Sequence, residues 1–534
     1  MKMVKSLLLG AAAGVVGVAG AQAADLPVKA APAQYVKICS LYGVGFYYIP
    51  GTDMCIKIGG WVRIQYQYDM NGNGTDGPFN NNFNNRLTND SVWRARGYLT
   101  ADARNQTAYG TVRGYAAIGY VDSDVGVGAV VAFQALRGFI QWAGFTFGQA
   151  QSFFDFYQIP RWSYLAAFPA ESTGGSGWKV LAYTAQFGNG WSGTISAEMR
   201  RTTQIICAAD EFGDGGIVGG CADATTSTTG AQPQATGSVS PWAAYGFGNY
   251  GGFQAPDIVA NLRVEQAWGN AQIMGALHEV NAQYYDDDGA PGVLSPAGEG
   301  AGHPGDRWGY AIGAGITLNL PAIGAGDTFQ SSVRYTAGAS RYNFQNNNYN
   351  EAARHGDSFG FGVLSDAVYG GVIGSPDTPN TATGLHLTST WAVNAAFEHH
   401  WNPAWQTSVY GGYAEVKYDS TANGILCGME GDSVLPAHKF NATGVGTSAT
   451  ALNGCDNNWS TWWVGSRTQW NVSPTFYMGV DVLYRKLNSA NLADGSAGFG
   501  VAPFSPAPTA RLTTFLDDQD SVSVEFRVHR DFYP

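Results

Sequence analysis

Charged residues are scarce in this sequence, and a long apolar run is missing after its first two dozen residues. Only 13% of the 534 residues are Asp, Glu, Lys or Arg. The closest later candidate for a membrane-crossing helix, residues 308–320, is interrupted by glycines and polar residues. Because a helical span needs about 20 consecutive apolar residues, the sequence excludes a helical membrane protein.

Basic residues are also in short supply. The 29 Lys and Arg residues are outnumbered by 41 Asp and Glu residues, which gives a net charge of −12. Nucleic acids are bound through phosphate contacts that need a basic surface. The composition therefore predicts no nucleic-acid partner.

Glycine and aromatic residues are abundant instead. The chain has 72 Gly, 16 Trp, 28 Tyr and 27 Phe, and no Pro-rich or Ser-rich linker separates self-contained blocks. Strand-forming residues in such excess indicate an all-β protein.

The first 23 residues have the layout of a secretory signal peptide. Lys2 and Lys5 precede an apolar stretch at residues 7–20, and the small-residue sequence Ala21-Gln22-Ala23 follows it. Short apolar stretches with this ending are typical of signals that are cleaved after export. We expect residues 1–23 to be removed and the mature chain to begin at Ala24.

A two-residue rhythm is the strongest structural signal. In residues 56–68 the even positions are mostly apolar, whereas Lys57, Arg63, Gln65 and Gln67 occupy odd positions. Successive strand side chains point to opposite faces, so one face is apolar and the other is polar. The same alternation recurs at residues 92–99, 112–118, 136–142, 258–265, 476–485 and 521–529.

The spacing of the connections distinguishes a membrane barrel from a soluble sandwich. Short turns are predicted at residues 102–107, 188–190, 402–404 and 472–474, and long polar segments at 70–90, 151–177, 202–256, 284–306, 343–390 and 419–458. Short turns on one rim and long loops on the other are typical of transmembrane antiparallel β-barrels. We predict about sixteen strands within residues 56–534, preceded by a periplasmic segment at residues 24–55.

Six cysteines form three pairs that are local in sequence. The pairs are Cys39 with Cys55, Cys207 with Cys221, and Cys427 with Cys455. An even number with this spacing in an exported protein predicts three disulfides. No Cys-x-x-Cys motif or neighbouring His pair accompanies them, so the spacing does not favour a metal site.

No motif in the sequence supports catalysis, a cofactor or a metal ion. Asp286-Asp287-Asp288-Gly289 lacks the alternate spacing of a calcium loop, and the adjacent His399 and His400 point to opposite faces of a strand. His278 and His529 fall in predicted strands without a nucleophile motif, and neither a phosphate loop nor a dinucleotide fingerprint is present.

Several stretches resemble the outer-membrane porins of alphaproteobacteria related to the rhizobia. The resemblance lies in residues 35–39 (YVKIC), 45–60 (GFYYIPGTDMCIKIGG), 94–99 (RARGYL), 137–141 (RGFIQ) and 146–152 (TFGQAQS). It implies a homotrimer of barrels in the bacterial outer membrane, each with its own pore. It also implies that the third loop, residues 151–177, folds into the lumen and narrows it.

The inward positions of the early strands suggest where such a pore is narrowest. Arg63, Arg94, Arg96, Arg113 and Arg137 come from adjacent strands, and the third loop contributes Asp155 and Glu171. Opposed charges across a narrow waist discriminate between ions. The alternative is that these arginines pair with loop acids and carbonyls and hold the loop in place.

The function expected from these features is passive diffusion of small hydrophilic solutes and ions. Two alternatives stay open. One is a substrate-specific channel, since Trp61, Trp463 and Tyr477 could point inward beside charged residues. The other is an adhesion or receptor barrel whose long loops block the lumen.

Overall fold

The structure is a computed structural model. It describes residues 38–69, 82–83, 90–124, 130–166, 168–208, 250–287, 302–345, 350–355, 358–370, 372–373, 382–431, 455–491, 499–501 and 512–532. The predicted signal peptide lies outside the described residues.

Sixteen strands of the described residues form one closed sheet. They are β1 Cys55–Asp69, β2 Ser91–Thr107, β3 Gly110–Ser123, β4 Val130–Trp142, β5 Phe145–Ala150, β6 Trp178–Gly188, β7 Trp191–Glu198, β8 Asp257–Gln266, β9 Gly269–Val280, β10 Arg307–Asn319, β11 Thr328–Ala337, β12 Ser389–Asn402, β13 Trp405–Lys417, β14 Trp459–Ser473, β15 Phe476–Asn488 and β16 Gln519–Asp531.

Each strand pairs antiparallel with the next one in the chain, and the last strand pairs with the first. The closing ladder joins Trp61–Asp69 of β1 to Ser523–Asp531 of β16. A sheet that closes on itself has no free edge, so every ladder position can satisfy its backbone hydrogen bonds without water. The predicted transmembrane β-barrel is confirmed.

The two faces of the barrel differ as the two-residue rhythm predicts. Large apolar side chains such as Ile64, Leu99 and Phe526 are exposed on the outside, whereas Gln65 and Glu525 on the same strands are buried inside. Aromatic residues gather towards both rims of the outer face, among them Trp93 and Tyr335 near the long connections and Tyr109 and Trp470 near the short turns. An apolar band between two aromatic girdles matches the depth profile of a bilayer.

Short turns and long connections alternate around the barrel. The β4–β5 and β6–β7 turns are two residues long, with positive φ angles at Ala143, Gly144, Asn189 and Gly190 as type I′ hairpins require. The turn predicted at residues 102–107 is wrong, because β2 continues to Thr107. Polar residues misled the prediction there, since the strand end is polar on its inner face.

A β-bulge interrupts the alternation in β4. Ala117 pairs with Arg137 and Ile118 pairs with Ala135, which leaves Leu136 without a partner residue. The sequence rhythm places Leu136 on the outer face with Ile140, but its Cδ1 atom lies 3.9 Å from where a β-carbon would stand at Gly175, in the connection between β5 and β6. An extra residue in one strand shifts the phase of every residue beyond it.

Smaller elements belong to the connections and the N-terminal segment. They are the helices α1 Ile159–Trp162 and α2 Ser420–Gly431, the 3₁₀ turns Ser40–Tyr42 and Ser340–Tyr342, and the short strands Tyr47–Tyr48, Asn82–Phe83, Ile205–Ala208, Asp286–Asp287, Asn350–His355, Ser358–Val363, Ala367–Gly370, Val372–Ile373, His386–Leu387, Phe499–Val501 and Leu512–Leu516. No helix among the described residues is long and apolar enough to span a membrane.

Two of the three predicted disulfides are present. Cys39 is joined to Cys55 at the start of β1, and Cys427 is joined to Cys455 within the β13–β14 connection. Cys221, the partner predicted for Cys207, lies outside the described residues.

Placing a charge on the outer face should destabilise the barrel. Leu99 is 56% exposed on the outside at the middle of β2. We expect Leu99→Arg to cost about 2–4 kcal/mol of folding free energy in lipid vesicles, because the guanidinium enters the apolar band. Denaturant titration of the vesicle-inserted protein measures this cost.

Gln134→Arg is the matched control. Gln134 lies inside the barrel in the same row, since it pairs with Gly119, which pairs with Tyr98, the neighbour of Leu99. It should cost less than about 1 kcal/mol. Equal costs at the two positions would contradict the assignment of the outer face to lipid.

Candidate functional site: a loop across the barrel lumen

The connection between β5 and β6, residues 151–177, lies inside the barrel. Phe154, Tyr157, Trp162 and Phe168 of this connection are fully buried. We call it the inner loop. It begins beside β7 and β8, where Glu198 accepts hydrogen bonds from Ser152 Oγ at 2.6 Å and Phe153 N at 2.9 Å.

Small inward residues on strands between β9 and β13 make room for the inner loop. Its apolar side chains pack on alanines of these strands: Ala276, Ala311, Ala392, Ala396 and Ala414. At Gly315 a β-carbon would lie 2.1 Å from the Phe156 ring. The loop therefore fills this side of the lumen with a packed apolar core, where the alternation alone predicts a water-lined wall.

Asp481 of β15 holds the tip of the inner loop. Its carboxylate accepts hydrogen bonds from Ser163 Oγ at 2.7 Å, Tyr164 N at 2.6 Å and Tyr410 OH at 2.8 Å. A carboxylate that accepts several hydrogen bonds in a buried site is a strong anchor.

Neighbouring strands reinforce the anchor. Trp162 Nε1 donates to Gln330 of β11 at 2.7 Å, Ser408 of β13 donates to the Trp162 carbonyl at 2.5 Å, and Arg527 of β16 donates to the Tyr164 carbonyl at 2.8 Å. Because the loop starts between β5 and β6, these bonds show that it crosses the barrel.

The two predicted loop acids are both engaged in buried ion pairs. Asp155 pairs with Arg201 at 2.7 Å, and Glu171 pairs with Arg334 of β11 at 2.6 Å. Burial raises the pKa of Asp155 above its ordinary value, and attraction to Arg201 works against that shift. Neither pair involves the early-strand arginines, so these acids fasten the loop to other parts of the chain.

The structure brings three of the five predicted arginines together. Arg63 pairs directly with Arg96 across the β1–β2 ladder, and Arg94 pairs with Gln65 two residues further along. All three side chains are half-buried on the inner wall.

Arg137 and Arg113 are used differently. Arg137 donates to the carbonyls of Gly174 and Gly175 at 3.0 and 3.3 Å and so fixes the end of the inner loop. Arg113 forms an ion pair with Asp102 at 2.9 Å near the short turns. Arg104 is the ladder partner of Arg113 and lies eight positions from Arg96, about 26 Å along the strand. Arg113 is therefore not part of the same patch.

Sequence reasoning assigned no role to five further buried arginines. Arg201, Arg334, Arg467, Arg485 and Arg527 are all buried and all pair with carboxylates. The alternation predicts that Arg485 and Arg527 point inward, and Arg527 pairs with Glu525 two residues away on the same strand. The partners of the other four arginines come from distant segments. No local pattern reveals those pairings.

Three aromatic residues named as inward candidates do face the lumen side. Trp61 lies 4.6 Å from the Tyr98 ring and 5.4 Å from the His529 ring, and Tyr477 lies 4.7 Å from His529, all between ring centroids. Trp463 is buried against Phe168 of the inner loop, with the two ring centroids 5.4 Å apart. Trp61 and Tyr477 are partly exposed, whereas Trp463 belongs to the apolar core.

The remaining candidate sites have structural partners. Asp286 and Asp287 form a short strand with Val372 and Ile373. His399 pairs with Asp327 at 2.7 Å, and His278 pairs with Asp257 at 2.7 Å in a fully buried cluster. Within the part of the chain that the structure describes, no group of three or more His, Cys, Asp or Glu residues could hold a metal ion.

A closed sheet with an apolar exterior, a polar inner wall and a loop folded into its lumen defines a transmembrane β-barrel of the outer membrane. A family model described as "Porin subfamily" matches residues 25–510. The chain belongs to the porin subfamily, as the sequence resemblance predicts.

Curated relatives agree with this assignment. The chain is 36% identical over 157 residues to the putative outer membrane protein y4fJ of Sinorhizobium fredii. The match covers 28% of this chain and 43% of that protein. It is 33% identical over 219 residues to porin Omp2a of Brucella ovis, covering 36% and 59% of the two chains. The matches thus span about half the length of these relatives.

A solved structure shows the same fold. The outer membrane channel DcaP of Acinetobacter baumannii aligns with 91% of this chain and 99% of its own, with a TM-score of 0.54 and 11% identity. At this identity the likeness supports the barrel architecture alone. Together the fold and the named relatives place the chain in the bacterial outer membrane.

Removing the anchor at Asp481 should widen the lumen. Asp481→Ala leaves the buried donors of Ser163, Tyr164 and Tyr410 without an acceptor, which costs about 1–3 kcal/mol for each group. We expect a larger and noisier single-channel conductance in planar bilayers, because the loop tip leaves the wall.

Glu265→Gln provides the comparison, since Glu265 is a largely exposed acid near the short turns. It should leave conductance and noise unchanged. If Asp481→Ala behaved like Glu265→Gln, the carboxylate would not be the anchor of the loop.

Proposed function

We propose that the chain is a water-filled channel for passive diffusion of small hydrophilic solutes and ions. The single observation that carries the proposal is that the inner loop packs against one side of the lumen and leaves polar side chains accessible on the other. The middle of the inner loop is bonded to β11, β13, β15 and β16. The inner wall of β1–β4 carries polar residues that remain accessible, including the exposed Gln134 and the half-buried Arg63 and Arg96.

Residues 151–177 then act as the constriction loop. In this proposal Arg63, Arg94 and Arg96 form the charged side of the narrowest section, and Arg137 holds the end of the loop. Asp155 and Glu171 contribute by fixing the loop, not by facing the arginines. No catalytic residue, cofactor or metal ion takes part.

The N-terminal segment and the assembly state complete the proposal. Residues 38–54 lie next to the start of β1, where Cys55 pairs with Arg104 towards the short-turn rim. This position supports a periplasmic location for residues 24–55 after removal of residues 1–23. The resemblance to rhizobial-type porins supports a homotrimer with one pore per chain.

Liposome swelling with sugars of increasing size tests the channel. Uptake should fall steadily with sugar size and show no saturation for neutral sugars, as expected for diffusion through water. A protein that inserts into bilayers but passes neither ions nor sugars would favour the adhesion or receptor barrel. Saturation with one sugar would favour a channel specific for that sugar.

Removing positive charge from the proposed constriction should change ion preference. The double variant Arg94→Ser, Arg96→Ser should raise the ratio of cation to anion permeability at least about twofold, because fixed positive charge at a narrow section attracts anions and repels cations. The reversal potential in a salt gradient measures the ratio.

Arg113→Ser removes a charge from the same wall outside the proposed constriction. Its distance from Arg96 exceeds the screening length of about 8 Å at physiological salt, so the reversal potential should shift less. An unchanged reversal potential in the double variant would contradict this map of the constriction.

A further inference from the structure

Arg63 and Arg96 face each other across the β1–β2 ladder on the accessible wall of the barrel. We call them the arginine pair. Side chains that are directly opposite in a sheet lie about 5 Å apart at their β-carbons, and like charges in that position repel. Such a pair is normally relieved by a nearby carboxylate.

The arginine pair has only neutral hydrogen-bond partners among the described residues. Arg63 Nε donates to His529 Nδ1 at 3.0 Å, and Arg96 Nε donates to Gln65 Oε1 at 2.9 Å. No carboxylate oxygen of the described residues lies within 4.0 Å of either guanidinium. This sets the pair apart from the five buried arginines named above, each of which has a carboxylate.

The surrounding charges do not compensate for the pair. Arg96 is repelled by Arg63, Arg94 and Arg527 and attracted by Glu525. Glu525 is already engaged, because it accepts hydrogen bonds from Arg527 Nε at 3.1 Å and from Gln65 Nε2. The wall therefore has an excess of positive charge at this level.

Aromatic rings hold one guanidinium of the pair in place. The Arg63 guanidinium carbon lies 4.6 Å from the centroid of the Trp61 ring, which is itself in contact with His529. Stacking on an aromatic face restricts the guanidinium without using its donors on an anion. An ordered guanidinium loses less conformational entropy when it binds a ligand.

We propose that Arg63 and Arg96 form a binding site for a small oxoanion, a carboxylate or a phosphate, on its way through the lumen. This inference rests on the proposed function, because the anion reaches the site through the open side of the barrel. The guanidinium fork matches two oxygens of one oxoanion. Binding remains weak enough for release, as conduction requires.

Anion block of single-channel current tests the site. Chloride conductance is measured in planar bilayers while phosphate, acetate or benzoate is added at constant ionic strength. We expect the oxoanions to reduce the chloride current in a saturable manner. Block by phosphate alone, by carboxylates alone or by both identifies the oxoanion class that the site accepts.

The double variant Arg63→Gln, Arg96→Gln should raise the half-blocking concentration about tenfold or more, since it removes charge-assisted hydrogen bonds. Arg63→Lys keeps the charge without the planar fork and should give an intermediate value. Arg113→Gln is the control, because Arg113 is paired with Asp102. Its half-blocking concentration should equal that of the unmodified protein. Circular dichroism and heat-modified gel mobility check that each variant is folded.

Two different results would overturn two different proposals. A channel that conducts chloride and oxoanions linearly, with no block, retains the proposed function and refutes the binding site. A protein that conducts nothing refutes the channel, and the site is then measured by ligand-observed NMR with phosphate and benzoate on the detergent-solubilised protein. Equal NMR binding by the unmodified protein and the double variant would also refute the site.

Discussion

The ladder between the first and last strands is the constraint on which the rest of this molecule depends. Trp61–Asp69 and Ser523–Asp531 come from opposite ends of the chain, and their pairing removes both edges of the sheet. In lipid an unpaired backbone group has no substitute partner and costs several kcal/mol. An open sheet of the same strands would leave two full edges unpaired, so the lumen, the inner loop and both faces exist only when this ladder forms.

Closure also explains why the sequence revealed the barrel so clearly. Once the sheet is closed, lipid outside and polar groups inside are separated by a single layer, and each strand must alternate with a period of two. The failures have local causes. The polar end of β2 resembles a turn in composition, so the sequence does not show that the strand continues to Thr107. A bulge moves Leu136 off its predicted face, and a single inserted residue leaves no mark in the composition.

The site was predictable only in part, for a physical reason. Residues on adjacent strands, such as Arg63 and Arg96, follow from the order of the strands and the alternation. The partners of the inner loop cannot be predicted in this way. Asp155 and Glu171 pair with Arg201 and Arg334, which only the complete fold brings near them. A weaker signal was available in the small inward residues of the later strands: Gly315 lies where a larger side chain would collide with Phe156.

The two sides of the lumen are stabilised in opposite ways. Every buried arginine noted above is matched by a carboxylate, and the apolar part of the inner loop excludes water from the side of the lumen that it fills. A buried charge without a partner is strongly destabilising, so this matching is required for the loop to stay in place. On the β1–β2 wall, where solvent reaches the side chains, hydration lowers the cost of unpaired charge. Arg63 and Arg96, without carboxylate partners among the described residues, can therefore lie close together on that wall. The loop that removes water from one side of the barrel thereby determines on which side an uncompensated charge can persist.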